Sequence, residues 1–279
     1  MLTRWPCLVL LAALLAAGCA GPSVRYARDA ERHGLEQHGV AGHGFAHAVF
    51  ARPQVPADRR LHLYLEGDGT PYVGRRPAAD PTPRRPIMPG LVALDPGPAV
   101  LLGRPCYHGP GAPPACGSAL WTRARYGEAV VQSLAAAADQ LITERGAREV
   151  VLIGYSGGGT LAMLLAERLD STVAVVTLAG NLDVAAWTAH HGLPPLDGSL
   201  DPATRPPLPQ TIRQLHLAGG RDRVVPPSLI AAALAAKDGP PLQILPDFDH
   251  ACCWSEVWPD VLAEVHHALE QPEAALDRR

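Results

Sequence analysis

The chain has 279 residues, of which 47% are hydrophobic and 18% are charged, with a formal net charge of −3 at pH 7. Its length and apolar content suffice to bury a core as one large domain or two small ones. Its 27 glycines and 29 prolines follow no repeating period. The composition therefore disfavours a disordered or collagen-like chain, and the small net charge disfavours a nucleic-acid partner.

The N-terminal segment, residues 1–18, has the layout of a secretory signal. Arg4 precedes an apolar run from Cys7 to Ala17, which is shorter than the ~20 residues that a transmembrane helix needs. The stretch Leu15–Cys19 resembles a bacterial lipobox. The resemblance implies that Cys19 is lipidated and that the protein faces the periplasm of a bacterial envelope, anchored in the membrane. Ordinary cleavage, which leaves a soluble periplasmic protein, is the alternative.

Residues 19–42 are interpreted as a tether or an irregular lead-in. An α/β domain is expected over residues 43–272, followed by a C-terminal tail, 273–279. Apolar runs predict strands at 45–50, 61–65, 99–102, 149–153, 172–178, 211–217 and 242–245. Helices are predicted at 122–145, 158–169, 182–190, 227–237 and 255–269. The segment 70–98 contains eight prolines and is expected to form neither helix nor central strand.

Near-continuous apolar strands that alternate with helices predict an α/β fold, with a mostly parallel central sheet covered by helices on both faces. Right-handed crossovers place the carboxyl ends of the parallel strands at one edge of the sheet. Active sites of open α/β sheets lie at that edge. Candidate site residues are therefore expected directly after strands.

Four cysteines remain once the signal is removed and Cys19 carries lipid, namely Cys106, Cys116, Cys252 and Cys253. We predict a disulfide between Cys106 and Cys116, which enclose a short loop rich in glycine and proline. A bridge between the adjacent Cys252 and Cys253 is disfavoured, because a trans peptide holds their Cα atoms about 3.8 Å apart. No pair has the spacing that zinc sites favour, and we predict neither a metal nor a cofactor.

The sequence Gly154-Tyr155-Ser156-Gly157-Gly158 fits the pattern G-x-S-x-G between a predicted strand and a predicted helix. In this context a sharp turn holds the serine in a strained conformation with its Oγ exposed, and the glycines avoid clashes with neighbouring chain. A glycine-rich turn that only packs a helix against a sheet is the alternative. The motif predicts that Ser156 is a nucleophile.

A serine hydroxyl needs a base to take its proton, and the base needs an acid to hold its tautomer. Asp222 and His250 follow the last two predicted strands, and the chain order Ser, Asp, His is one that this geometry adopts. Asp247 and Asp249 are the alternatives for the acid. We predict the triad Ser156, His250 and Asp222.

With these motifs the chain resembles the α/β-hydrolase family over most of residues 43–270, and bacterial envelope lipoprotein esterases in particular. The resemblance implies a minimal cap and an oxyanion hole formed by the N–H groups of Gly157 and Asp68, with Gly69 beside Asp68. Glu66 stands where many esterases carry histidine. The Asp68 carboxylate is expected to point away, because a negative charge facing the oxyanion would oppose catalysis. A Gly-Asp-Gly turn without a catalytic part is the alternative.

The expected activity is hydrolysis of a carboxylic ester through an acyl-enzyme. Thioesterase, amidase and acyltransferase reactions would use the same residues, and a non-catalytic envelope binding module is the alternative from another class. The expected partners are a small-molecule ester and the membrane, through the lipid anchor, but no nucleic acid. The substrate, the acyl chain length and the oligomeric state do not follow from the sequence.

The proline-rich segment also contains arginines that have two interpretations. They are solvated loop charges or contacts for anionic lipid headgroups. These residues are Arg75, Arg76, Arg84 and Arg85. Several aromatic residues at loop or helix starts could line an acyl pocket or belong to the core, namely Tyr72, Trp121, Tyr155, Trp187 and Trp254.

Overall fold

The computed structural model describes residues 20–53, 59–109 and 116–271. The signal segment, Cys19 and the tail 273–279 lie outside the described residues, so their assignments stay predictions. Across the described ranges, no helix is long and apolar enough to cross a bilayer.

The strands are β1 Glu36–Ala41, β2 Ala46–Ala51, β3 Arg60–Leu65, β4 Tyr72–Val73, β5 Arg76–Pro77, β6 Ala99–Leu102, β7 Glu149–Tyr155, β8 Thr172–Leu178, β9 Arg213–Gly219 and β10 Gln243–Leu245. The α-helices are α1 Pro22–Arg32, α2 Met88–Leu94, α3 Glu128–Glu144, α4 Gly157–Ala166, α5 Val184–His190, α6 Pro227–Ala235 and α7 Trp254–Glu270. Short 3₁₀ helices span Ser118–Trp121 and Pro202–Thr204.

Eight strands form one sheet in the order β1-β2-β6-β3-β7-β8-β9-β10, and β4 and β5 form a separate hairpin. Strand β2 runs antiparallel to both of its neighbours, whereas β6, β3, β7, β8, β9 and β10 pair in parallel. The predicted, mostly parallel sheet is confirmed.

Side chains of the central strands alternate between two cores, as the two-residue period of a strand requires. In β3, Leu61 and Leu63 belong to the core that includes α3 and α4. Tyr64 belongs to the other core, with residues of α1, α2 and α7. Both faces of the sheet are therefore covered by helices, as predicted.

The structure corrects the interpretation of residues 19–42 as a tether. Residues 22–32 form helix α1, which buries Tyr26 and Ala30, and residues 36–41 form the edge strand β1. Of the six residues of β1, Val40 alone is buried. An edge strand with so little buried surface lacks the apolar alternation that identifies strands in a sequence.

The proline-rich segment is also more regular than expected. It contains the hairpin of β4 and β5 and the helix α2, in which Pro89 occupies the first turn. Proline is compatible with a helix there, because the first amides of a helix have no intrahelical partner. The proline count therefore overstated the disruption of this segment.

The four cysteines within the described residues form two pairs. Cys106 and Cys116 are joined, with their Cα atoms 5.6 Å apart, as the sequence predicts. The structure also joins Cys252 to Cys253, which corrects the expectation that these neighbours do not pair.

Leu63, in the middle of β3, is fully buried, whereas Leu94, at the end of α2, is 44% exposed. Replacing Leu63 with alanine should lower the free energy of unfolding by about 2–5 kcal/mol, because the substitution leaves a cavity between sheet and helices. Leu94→Ala, the control, should change it by less than about 0.5 kcal/mol. Equilibrium denaturation in urea measures both values, and equal losses would contradict the assigned core.

Candidate active site

Ser156 occupies the turn between β7 and α4. Its φ of 54° and ψ of −121° lie in a region that L-residues other than glycine rarely adopt. A Cβ atom on Gly158 would overlap the carbonyl oxygen of Leu65, and one on Gly154 would overlap the carbonyl of Gly158. Glycines at both positions thus allow the turn to pack against the end of β3, which fixes the serine at the carboxyl edge of the sheet.

The predicted serine, histidine and aspartate meet at this edge. His250 Nε2 lies 3.0 Å from Ser156 Oγ, and His250 Nδ1 lies 2.7 Å from Asp222 Oδ2. The Asp222 side chain is fully buried. This order of contacts can move a proton from the serine hydroxyl to the imidazole while the carboxylate holds the ring.

The second carboxylate oxygen of Asp222 is fixed by the backbone. Asp222 Oδ1 accepts hydrogen bonds from the amides of Val224, at 2.7 Å, and Val225, at 2.9 Å. Asp247 forms an exposed ion pair with Arg221 instead. Both carboxylate oxygens of Asp222 are therefore committed, and its orientation toward His250 is defined.

The alternative acid Asp249 shapes the loop that carries His250. Its Oδ1 accepts hydrogen bonds from the amides of Ala251 and Cys252, both at 2.8 Å. These contacts close a turn directly after the histidine. Asp249 thus supports the loop, and Asp222 is the carboxylate in contact with the imidazole.

The backbone of His250 is held by two aromatic side chains. Tyr155 Oη donates a hydrogen bond of 3.0 Å to the carbonyl oxygen of His250, and Trp254 Nε1 donates one of 2.9 Å to the same atom. Burial, reinforced by the negative charge of Glu66, raises the pKa of Tyr155, so its hydroxyl stays a donor. Tyr155 thus links the serine turn directly to the histidine loop.

The loop Glu66-Gly67-Asp68-Gly69 follows β3 and lies beside the serine. A Cβ atom on Gly67 would lie 3.4 Å from Ser156 Cβ. The amide of Gly157 is the first of α4 and has no acceptor within that helix. Gly69 has a φ of 66°, and a Cβ there would overlap the carbonyl of Pro81, so only glycine fits this turn.

The carboxylate of Asp68 is the centre of a buried charged cluster. Arg104 lies 2.8 Å from Asp68 Oδ1, and Arg125 donates a hydrogen bond of 2.8 Å to Oδ2. Tyr126 Oη lies 2.8 and 2.7 Å from the two oxygens. Burial alone would raise the pKa of Asp68, but the two guanidinium groups and the Tyr126 hydroxyl lower it to about 2. Asp68 is therefore ionised.

This cluster holds the Asp68 carboxylate beside the serine turn. A Cβ atom on Gly157 would overlap Asp68 Oδ1, so the carboxylate lies against the residue that follows the nucleophile. Its charge is tolerated there because two guanidinium groups face it.

Glu66, at the position where many esterases carry histidine, has a structural role. It is buried and accepts hydrogen bonds from Tyr26 Oη and from the amides of Ile87 and Met88, at 3.1 to 3.2 Å. Burial raises its pKa. These contacts attach α1 and the start of α2 to the loop beside the serine.

Sequence reasoning did not find the partners of Asp68. Arg104 lies two residues after the end of β6, so the rule that strand ends converge at one edge could have identified it. Arg125 and Tyr126 fall within the segment interpreted as the start of a helix, which begins only at Glu128. Their pairing with Asp68 depends on the tertiary fold, and no local sequence pattern indicates it.

Ser156 and His250 line an open cleft of about 490 Å³, and Asp222 lies buried behind His250. Its lining combines the serine and histidine with polar, charged and aromatic groups, including Ser156, His250, Tyr155, Trp187, Arg84 and Arg85. Of the aromatic candidates, Tyr155 and Trp187 thus face the cleft, whereas Trp121 and Trp254 are buried. Within the described residues, no group of three His, Cys, Asp or Glu side chains forms a potential metal site.

Solved structures share this architecture at low sequence identity. A serine hydrolase without a lid from Xanthomonas campestris has a TM-score of 0.52 and 15% identity, covering 84% of this chain and 93% of that one. An esterase from Pyrococcus furiosus has a TM-score of 0.57 and 12% identity, covering 85% and 90%. A membrane phospholipase A described as a bacterial virulence factor has a TM-score of 0.58 and 17% identity, covering 95% and 98%. The chain has the α/β-hydrolase fold.

No protein-family model and no curated protein matches the sequence of this chain. The fold carries a minimal cap, in agreement with its likeness to a hydrolase without a lid. In this α/β-hydrolase structure the serine turn, the acid loop and the histidine loop follow β7, β9 and β10. The open cleft is therefore formed by the loops at the carboxyl edge of the sheet.

Replacing Asp68 with asparagine removes the charge that compensates Arg104 and Arg125. Because a buried charge without its partner is costly, the free energy of unfolding at pH 7 should fall by about 3 kcal/mol. The exposed pair of Asp197 and Arg123 offers a matched control, and Asp197→Asn should cost less than about 1 kcal/mol. Urea denaturation measures both, and equal small losses would contradict the assigned cluster.

The loss of stability caused by Asp68→Asn, measured against the unaltered protein, should depend on pH. Folding lowers the pKa of Asp68 from 3.8 to about 2, so its ionised form stabilises the fold above about pH 4. This stability is lost as the pH falls toward 2. The difference in unfolding free energy between the unaltered protein and Asp68→Asn should be constant above pH 4 and narrow below it.

Proposed function

We propose that the protein is a serine hydrolase that cleaves a carboxylic ester. The observation that carries this proposal is the continuous contact from Ser156 Oγ to His250 Nε2, and from His250 Nδ1 to the buried Asp222, at the edge of an open cleft. The likeness to solved esterase, phospholipase and serine hydrolase structures supports it through the shared fold.

In the first half of the reaction, Ser156 Oγ attacks the carbonyl carbon of the ester, and His250 Nε2 takes the hydroxyl proton. Asp222 holds the ring through Nδ1 and stabilises the imidazolium that forms. The carbonyl oxygen becomes an oxyanion, for which the amides of Gly157 and Asp68 are the donors. The tetrahedral intermediate then expels the alcohol, which receives the proton from His250, and leaves an acyl group on Ser156.

In the second half, His250 takes a proton from water as the water oxygen attacks the acyl carbonyl. Collapse of this second intermediate returns the proton to Ser156 Oγ and releases the carboxylic acid. The ion pairs of Asp68 with Arg104 and Arg125 compensate the carboxylate charge that lies beside Gly157. Thioester or amide cleavage and acyl transfer would use the same groups.

The proposed location is the bacterial cell envelope, facing the periplasm, with a lipid on Cys19 as the anchor. The support is the signal-like layout of residues 1–18 and the lipobox-like stretch before Cys19. The pair Cys106–Cys116 is in keeping with an oxidising compartment.

Metabolic labelling with a fatty-acid analogue tests the proposed lipid anchor. The protein should incorporate the label, and Cys19→Ser should abolish the incorporation.

A fluorophosphonate probe tests the proposed nucleophile. We expect stoichiometric labelling of the folded protein, loss of labelling in Ser156→Ala, and retention in the control Ser228→Ala, since Ser228 is exposed and distant in sequence from the turn. Hydrolysis of p-nitrophenyl esters should fall by at least about 10⁴-fold in Ser156→Ala and in Asp222→Asn. Folded protein that is not labelled would instead indicate a non-catalytic binding module.

A further inference from the structure

Two adjacent arginines of the proline-rich segment, Arg84 and Arg85, line the same cleft as Ser156 and His250. Both side chains are exposed. Within the part of the chain that the structure describes, neither forms an ion pair or a hydrogen bond. The cleft therefore contains two guanidinium groups that no acidic group of the described residues neutralises.

The backbone that carries these arginines is fixed on both sides. On one side, the carbonyl oxygen of Pro81 accepts a hydrogen bond of 2.8 Å from the amide of Thr70, and Thr82 is fully buried. On the other side, the amide of Ile87 donates a hydrogen bond of 3.2 Å to Glu66. The two arginines are thus presented from a short, anchored stretch rather than from a free loop.

The acidic groups of the cleft are already engaged. Glu66 accepts hydrogen bonds from backbone amides and Tyr26, and Asp68 is held by Arg104 and Arg125. Each carboxylate is committed to its own partners, so neither is free for the two exposed arginines. A complementary negative charge must therefore come from a molecule that enters the cleft.

We infer that Arg84 and Arg85 form a subsite for an anionic group, a phosphate or a carboxylate, carried by the substrate of Ser156. The planar guanidinium group presents paired N–H donors that match two oxygens of a carboxylate or of a phosphate, and it holds them by charge-assisted hydrogen bonds. The inference deepens the proposed function and depends on it for the position of the scissile ester. It assigns the substrate to the class of anionic esters.

The rest of the lining fits such a substrate. Trp187 and Val224 also face the cleft, and Trp187 Nε1 donates a hydrogen bond of 2.7 Å to the carbonyl of Val224. The indole ring of Trp187 and the side chain of Val224 contribute apolar groups to the cleft lining, in addition to the two arginines. The substrate is therefore expected to combine an anionic group with an apolar chain.

Two soluble esters with the same leaving group test the inference, mono-p-nitrophenyl glutarate, which is anionic, and p-nitrophenyl valerate, which is neutral. The ratio of kcat/KM for the anionic over the neutral ester should fall at least about 10-fold in the double variant Arg84→Gln/Arg85→Gln, mainly through KM. The matched control is Arg75→Gln/Arg76→Gln, on the same segment but outside the cleft lining. It should leave the ratio unchanged.

A second comparison separates the cleft from the membrane surface. Vesicles of phosphatidylglycerol and of phosphatidylcholine are offered as substrates to the same variants. If the double variant loses activity only on anionic vesicles and not on the soluble anionic ester, the arginines attract the protein to a charged surface and the subsite is overturned. If the double variant loses activity equally on both soluble esters, the two arginines have a structural role, and the subsite is overturned as well.

A binding experiment keeps this inference distinct from the proposed hydrolysis. Calorimetry measures hexyl phosphate binding to Ser156→Ala and to the same variant carrying Arg84→Gln/Arg85→Gln. Binding that the two glutamines weaken at least about 10-fold supports the subsite even where fluorophosphonate labelling fails. Equal affinities for both proteins, with labelling of Ser156 intact, would overturn the subsite and leave the proposed hydrolase in place.

Discussion

The interaction on which the site depends most is the ion cluster around Asp68. Its carboxylate joins three segments that are distant in sequence, the loop after β3, the residue Arg104 after β6, and the turn before α3 that carries Arg125 and Tyr126. An ionised carboxylate in this position would be costly without partners, because burial removes its water. The cluster satisfies the charge and at the same time fixes the loop that lies beside the serine turn.

The sequence was sufficient for the parts of the site that follow from local pattern and topology. Ser156 lies in a motif with a defined turn geometry, and Asp222 and His250 each follow an apolar run, so parallel strands bring all three to one edge. The distances between them in the structure follow from that topology. The predicted sheet was accurate for the same reason, because buried parallel strands are long and apolar.

The features that the sequence could not reveal share a dependence on distant contacts. Strand β1 buries one residue of six, so its identity depends on pairing with β2 rather than on its own pattern. The partners of Asp68 lie 36 and 57 residues further along the chain, and no spacing rule connects them. The two guanidinium groups that compensate the charge of Asp68 come from separate segments, so the sequence could not show how this charge is balanced.

The serine and the histidine are connected by two separate contacts, and this has a consequence for the proposed reaction. During catalysis the hydrogen bond between Ser156 Oγ and His250 Nε2 must break as the serine becomes acylated. The hydrogen bond from Tyr155 Oη to the carbonyl of His250 does not involve the reacting atoms and can persist. Tyr155 directly precedes Ser156 in the chain. In the proposed reaction its hydrogen bond therefore keeps the histidine beside the acyl group on Ser156 while water replaces the alcohol. The segment that carries Ser156 thereby also positions His250 as the base for the second half of the proposed reaction.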